Sequence, residues 1–189
     1  MARNDSNWIQ TYSGGKFYPF DPEPQDVHLA DIAHALSNVC RFAGHVREHY
    51  SIAQHSVLVS EAVPADAALW GLLHDAAEAY TGDLSRPIRQ GLRISTMEGE
   101  LAIFDSIERR ILECIADRFG LPQVIPASVW YADNMLLAAE ARDLFATPPV
   151  DNWSKVLPAP SHETIAPWSH EVAKHRFLRR AAELGIGVI

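Results

Sequence analysis

His74 and Asp75 stand side by side in LWGLLHDAAEAYTGD, residues 69 to 83, a segment that otherwise reads as a buried helix. A carboxylate buried there is costly unless it is paired or binds a metal. A divalent ion would resolve that conflict, and three further residues could complete its site. They are His55 upstream, Glu78 one helical turn after His74, and Asp133 downstream in WYADNMLLAAEAR. His74 and Glu78 are i and i+4, and Asp75 and Glu78 are i and i+3, so one helix offers two ligands and a third acid beside them. Two imidazoles and two carboxylates suit Mn, Fe, Co, Ni or Zn better than Ca or Mg. With a coordination position left open, such an ion does hydrolytic chemistry.

The elements that must position these groups are helical. LADIAHALS, from Leu29, reads as a short helix, and NVCRFAGH breaks at Gly44. Residues 51 to 62 form an apolar-faced helix that Pro64 stops. Asp66 is placed to cap the next helix, from Ala67 to Tyr80. A helical pair joined by the turn at 64 to 66 would bring His55 beside His74. Residues 81 to 97 read as a loop around Gly82, Pro87 and Gly91. Ser95 with Glu98 resembles a capping box. Leu101, Phe104, Ile107, Ile111, Leu112, Ile115 and Phe119 then recur at helical spacing up to Gly120. Pro126 opens a helix to about Ala146, residues 147 to 166 are Pro-rich, and a last helix runs from about Pro167 to Leu184. The expected fold class is all-α, a compact bundle of about six helices in one domain. Residues 1 to 26 form an extended arm, 27 to 146 the core, and 147 to 189 the Pro-rich loop and final helix. Tyr12, Phe17, Tyr18 and Phe20 make the arm too aromatic for a free tail, and it is expected to pack across the domain or against a partner subunit.

Bulk properties narrow the functional classes. The chain has 189 residues, 48% hydrophobic and 21% charged. Those figures suit a single globular domain. No apolar run approaches the ~20 residues of a membrane span, and MARNDSNWIQ has no apolar signal region. Cys40 and Cys114 are expected as reduced thiols in a cytoplasmic protein. A net charge of -8 argues against nucleic-acid binding but permits a small anionic ligand in a local basic pocket. Arg41, Arg47, Arg86, Arg89 and Arg93 fall near the site residues in sequence, and His45 is close to Arg41.

The pattern of His55, His74-Asp75 and Asp133 resembles the H…HD…D motif of the HD-domain metal-dependent phosphohydrolases. HDAAEAYTGDLSRPI, residues 74 to 88, is similar to a string in bacterial 5′-deoxynucleotidases and phage dATP triphosphohydrolases of that superfamily. Arg41-Phe42 lies where those nucleotidases carry Arg-Trp, so Phe42 departs from the pattern. The resemblance covers roughly residues 38 to 145. It implies an HD-domain fold and one divalent transition metal on His55, His74, Asp75 and Asp133. It also implies Glu78 as general base or acid, and Asp83 bonded to the sugar or ordering the attacking water. Arg41 would clamp a phosphate, Phe42 and His45 would contact substrate, and Arg86 and Arg89 would add phosphate contacts. The implied substrate is a nucleotide, a deoxynucleoside 5′-monophosphate first and a dNTP such as dATP second. The implied assembly is a homo-oligomer.

Plainer readings stand beside these. His74-Asp75 could only tie two helices together. Asp133 could be a first-turn carboxylate answering the helix dipole, Arg41 a surface ion-pair former, and Asp83 a turn residue. His28, Asp31 and His34 fit a second metal poorly, because i, i+3 and i+6 do not align. A nucleotide-binding sensor without turnover, and a helical module with vestigial ligands, are the rival classes.

Overall fold

The computed structural model describes residues 7–95, 101–149, 157–160 and 163–187. These residues are mostly helical. The helices are α1 Leu29–Asn38, α2 Ile52–Ala62, α3 Ala68–Leu73, α4 Glu78–Thr81, α5 Arg86–Gly91, α6 Phe104–Phe119, α7 Ala127–Asp143 and α8 His170–Glu183. One-turn 3-10 helices lie at Pro24–Asp26 and Arg41–Gly44. Two short antiparallel ribbons depart from the all-helical expectation: β1 Ile9–Gln10 with β2 Lys16–Phe17, and β3 Arg93–Ser95 with β4 Leu101–Ile103. Strands of two or three residues are too short to leave a period-2 signal.

The second ribbon also corrects the expected capping box. Ser95 pairs with Leu101 across the ribbon, and α6 begins only at Phe104 with Ile103 at its N-cap. Glu98 lies outside the described residues. Leu101, read as part of the helical stripe, is 76% exposed, whereas Phe104, Ile107, Ile111 and Ile115 are buried as the spacing requires.

The remaining boundaries follow local chemistry. The Ser51 hydroxyl caps α2 by accepting from Gln54 N–H at 3.1 Å, the usual work of a serine at that position. Gly120 ends α6 in the left-handed region at φ 68°, where a residue without Cβ is unstrained. The Ser169 hydroxyl caps α8, which therefore starts three residues later than Pro167. Asp66 does not cap α3, whose N-cap is Ala67 with no side-chain bond.

The core has two connected parts. The larger gathers Ile32, Leu36, Ile52, Leu72, Ile111 and Phe177 from five helices. The smaller, around Val59, Trp70, Val129 and Leu136, joins α2 and α3 to α7. The N-terminal arm packs across the domain as its aromatic content suggested. Phe17 is fully buried and stacks on Tyr80 at 3.6 Å, and Tyr12 stacks on His34 at 3.8 Å. The Ser13 hydroxyl donates to Asp31 at 2.9 Å, so Asp31 and His34 are engaged in docking the arm.

α2 and α3 form the hairpin that positions the site. They approach so closely that a Cβ on Gly71 would lie 2.8 Å from the Ser60 Cα. The expected helix from Ala67 to Tyr80 is interrupted after Leu73. From Ala76 to Tyr80 the amides bond three residues back, as in Ala76 N–H to Leu73 O and Glu78 N–H to Asp75 O, each at 3.0 Å. Three-residue winding brings i and i+3 into line, which aligns Asp75 with Glu78.

Candidate metal centre

α2, the end of α3 and α7 bring His55, His74, Asp75 and Asp133 together. His55 Nε2 lies 3.3 Å from His74 Nε2, 3.2 Å from Asp133 Oδ1 and 3.6 Å from Asp75 Oδ2. His74 Nε2 lies 3.4 Å from Asp75 Oδ2. Both imidazoles are held by their other nitrogen. His74 Nδ1 donates to Gly71 O at 2.8 Å, and His55 Nδ1 donates to Glu140 Oε1 at 2.6 Å. These partners assign the tautomers and turn both Nε2 lone pairs inward.

Inward-facing lone pairs and carboxylates repel one another unless a cation lies among them. Ligand bonds of about 2.0–2.2 Å put neighbouring donor atoms roughly 2.8–3.6 Å apart around one ion, which matches the distances here. The group His55, His74 and Asp75 can therefore hold a metal ion, and Asp133 adjoins that group at His55 without being part of it. Burial and the Arg41 guanidinium oppose positive charge on His55, but Glu140 and Asp133 outweigh them and raise it to about 9. The same field that attracts a proton to His55 attracts a metal ion.

Glu140 is the residue that sequence reasoning missed as part of the site. Fully buried, it takes His55 Nδ1–H, accepts from the Tyr50 hydroxyl at 2.9 Å and pairs with Arg41 at 3.2 Å. Burial opposes its charge, but Arg41 and His55 prevail and lower it to about 2. Its position two helical turns after Asp133, inside the apolar run LLAAEA, was the available signal. Asp143, the other acid nearby, instead pairs with Arg142 at 2.7 Å and accepts from Ile165 N–H at 2.9 Å.

Arg41 is placed by backbone pairing. Arg41 N–H bonds to Tyr50 O and Ile52 N–H to Val39 O, which zips this segment to the start of α2. Its guanidinium reaches Asp75 and Glu140, each at 3.2 Å, so it braces Asp75 and the hydrogen-bond partner of His55. Phe42 and Ala43 follow with φ of 58° and 50°, a left-handed pair without glycine. Such backbone costs about 1–2 kcal/mol per residue. The Asp83 carboxylate helps hold the turn by accepting Phe42 N–H at 2.9 Å. Burial raises the Asp83 pKa despite the nearby Arg41.

Glu78 lies beside the cluster with Oε2 sealed from solvent and without a hydrogen-bond partner among the described residues. Burial first, then Asp75 and Asp83, push its carboxyl well above the usual range. Two cavities meet along Asp75, Glu78 and Asp133. The larger, about 470 Å³, also takes in Arg41, Phe42, Asp83 and Leu84. The smaller, about 340 Å³, opens between α6 and α7. Arg86 and Arg89 border both. Arg86 is exposed and has no ion-pair partner among the described residues. Arg89 is bonded to Glu108 at 3.1 Å and paired with Asp105 at 3.3 Å. Burial lifts Glu108 to about 7 even with Arg89 opposing. His45 is exposed and borders neither cavity.

No known family profile matches the chain. It is 41% identical over 138 residues to the uncharacterized Escherichia coli protein YfdR, across 73% of this chain and 72% of that one. It is also 34% identical over 131 residues to the uncharacterized Rhodobacter capsulatus protein RCAP_rcc00048, across 65% of this chain and 63% of that one. With that identity to YfdR, sustained over nearly three quarters of both sequences, the chain belongs to the YfdR family.

Proposed function

We propose that this protein is an HD-domain phosphohydrolase that removes phosphate from nucleotides, deoxynucleoside 5′-monophosphates foremost. The observation that carries the reading is the orphaned Glu78 carboxyl beside four converging donor groups. One transition-metal ion held by His55, His74, Asp75 and Asp133 would polarise a phosphoryl oxygen and acidify a water.

The chain's own residues do the rest. Glu78, uncharged more readily than an ordinary carboxyl, exchanges a proton with the attacking water or the leaving alkoxide. Water adds to phosphorus, the P–O ester bond breaks, and the alcohol oxygen leaves with one proton. Arg41 holds Asp75 and Glu140 in register and presents cationic charge to the larger cavity. Arg86, on the border of both cavities, offers its cation to the phosphate. Asp83 shapes the Arg41–Gly44 turn, and this backbone bond is a stronger basis for its importance than a sugar contact.

The alternative of removing triphosphate from a dNTP needs further cations for the tail. Arg89 is occupied by two carboxylates, Arg93 donates to Gln90 O and Leu92 O, and Arg47 donates to Asp143 O. That distribution favours the monoester. A sensor without turnover would have no use for a carboxyl left unpartnered beside the cluster.

The test is phosphate release from a panel of ribo- and deoxynucleoside mono- and triphosphates by Mn- or Co-loaded protein, with product chromatography for intact triphosphate. Glu78→Gln should lose about 10²- to 10⁴-fold in kcat while retaining metal. Wild-type turnover by that variant would remove Glu78 from the chemistry. Metal-loaded wild type that hydrolyses none of the panel would refute the nucleotidase.

A further inference from the structure

The smaller cavity has a wall that phosphate binding does not explain. Trp130 lies on α7 one turn before Asp133 and lines the cavity, while the residue remains 49% exposed. A large indole left half in solvent beside a metal centre is an unfilled stacking surface. Asn134 follows one turn later on the same cavity wall. Its Nδ2 donates to Trp130 O at 2.7 Å. That bond uses one of the two amide protons, and the amide oxygen has no hydrogen-bond partner among the described residues.

Away from Arg86, which borders both cavities, the charges of this cavity select against an anionic occupant. Arg89 is neutralised by Asp105 and Glu108, and Arg109 faces Glu113 at 3.7 Å. A phosphate tail would meet those carboxylates. A neutral planar heterocycle bearing amino donors would stack on the indole and donate to the acceptors.

The larger cavity has no comparable platform among the described residues. The Phe42 ring is packed edge-on by Phe145 at 5.0 Å and has the Arg41 guanidinium 5.3 Å from its centroid. From Trp130 to Asp133 the helix rises about 4.5 Å, a separation that a sugar can bridge between phosphate and base.

We propose that the α6–α7 cavity is the nucleobase subsite of this enzyme, with the base stacked on Trp130 and hydrogen-bonded by Asn134. This rests on the nucleotide phosphohydrolase reading above and assigns the base to the side away from Phe42.

The experiment compares dAMP with 2-deoxyribose 5-phosphate, which carries the same ester without a base, using Co-loaded wild type, Trp130→Phe, Trp130→Ala and Phe42→Leu. In Trp130→Ala the ratio of kcat/KM for dAMP to that for 2-deoxyribose 5-phosphate should fall about tenfold or more. The loss should lie in KM, and Trp130→Phe should recover most of it. A ratio that stays at the wild-type value in Trp130→Ala overturns the subsite and leaves the phosphohydrolase standing. A ratio that collapses in Phe42→Leu instead places the base in the larger cavity and also overturns it. A changed sedimentation coefficient for Trp130→Ala with an unchanged ratio makes the indole a subunit contact, and the subsite is again overturned. Wild type that neither cleaves nor binds either compound refutes the phosphohydrolase itself, and the subsite with it.

Discussion

The side chains of the centre work through their second contacts as much as their first. His55 presents Nε2 inward because Glu140 accepts a hydrogen bond from Nδ1–H, and Glu140 is kept ionised by Arg41 and Tyr50. Glu140→Gln should therefore weaken Co or Mn binding about 10- to 100-fold, read by competition with a chromophoric chelator. Unchanged affinity would show that His55 needs no anionic partner. Glu108 gives a pH signature of its own. Its pKa is raised in the folded protein to about 7 from 4.5, so the fold favours its neutral form. The stability that this contributes is complete below pH 4.5 and is lost as pH rises through 7. Wild type should thus lose stability relative to Glu108→Gln across that window, seen in denaturant midpoints on the acidic and the alkaline side of it. A gap that does not change with pH would contradict the shift.

Among the elements, the α2–α3 hairpin has the tightest tolerance. Gly71 serves twice: its missing Cβ admits the Ser60 backbone, and its carbonyl orients His74. Glycine to alanine in an unconstrained helix is favourable by up to about 1 kcal/mol. Here the added methyl must displace α2, and Gly71→Ala should destabilise the protein by about 1–3 kcal/mol and loosen the His55–His74 pair. Denaturant unfolding and metal titration of the same variant test both effects, and a stabilised variant would show that the close approach is not required. The tightened turn after Leu73 is a second element-scale device. It carries Asp75 and Glu78 on one line, so that both carboxyls border the same two cavities.

For the molecule as a whole, the centre joins segments that are distant in sequence. α2, α3, α7 and the Arg41 turn all contribute to it. A metal ion that binds the folded state alone should therefore stabilise the entire domain. Saturation at about a hundred times Kd is worth about 2.7 kcal/mol, or roughly 5–10 °C in Tm for a chain of this size. A thermal melt with Co or Mn, reversed by EDTA, tests this. No shift at saturating metal would leave His55, His74, Asp75 and Asp133 as a purely structural knot.

Several parts were legible in the sequence because they depend on neighbours along the chain. The spacing of Ile107, Ile111 and Ile115, the stop at Gly120, and the apolar helix ended by Pro64 follow from local periodicity and backbone preference. His55, His74, Asp75 and Asp133 stood out because polar groups in apolar helices need a partner. Tertiary structure alone decided what those partners are. Glu140 gains its role where α7 sets it against His55 and Tyr50. Arg41 and Arg89 read as free phosphate cations until packing supplied each with two carboxylates. The ribbon at Arg93–Ser95 is a local hairpin whose strands are too short to leave a periodic signal. Local sequence sets the face on which a side chain stands, but the charge that a group must answer comes from residues tens of positions away.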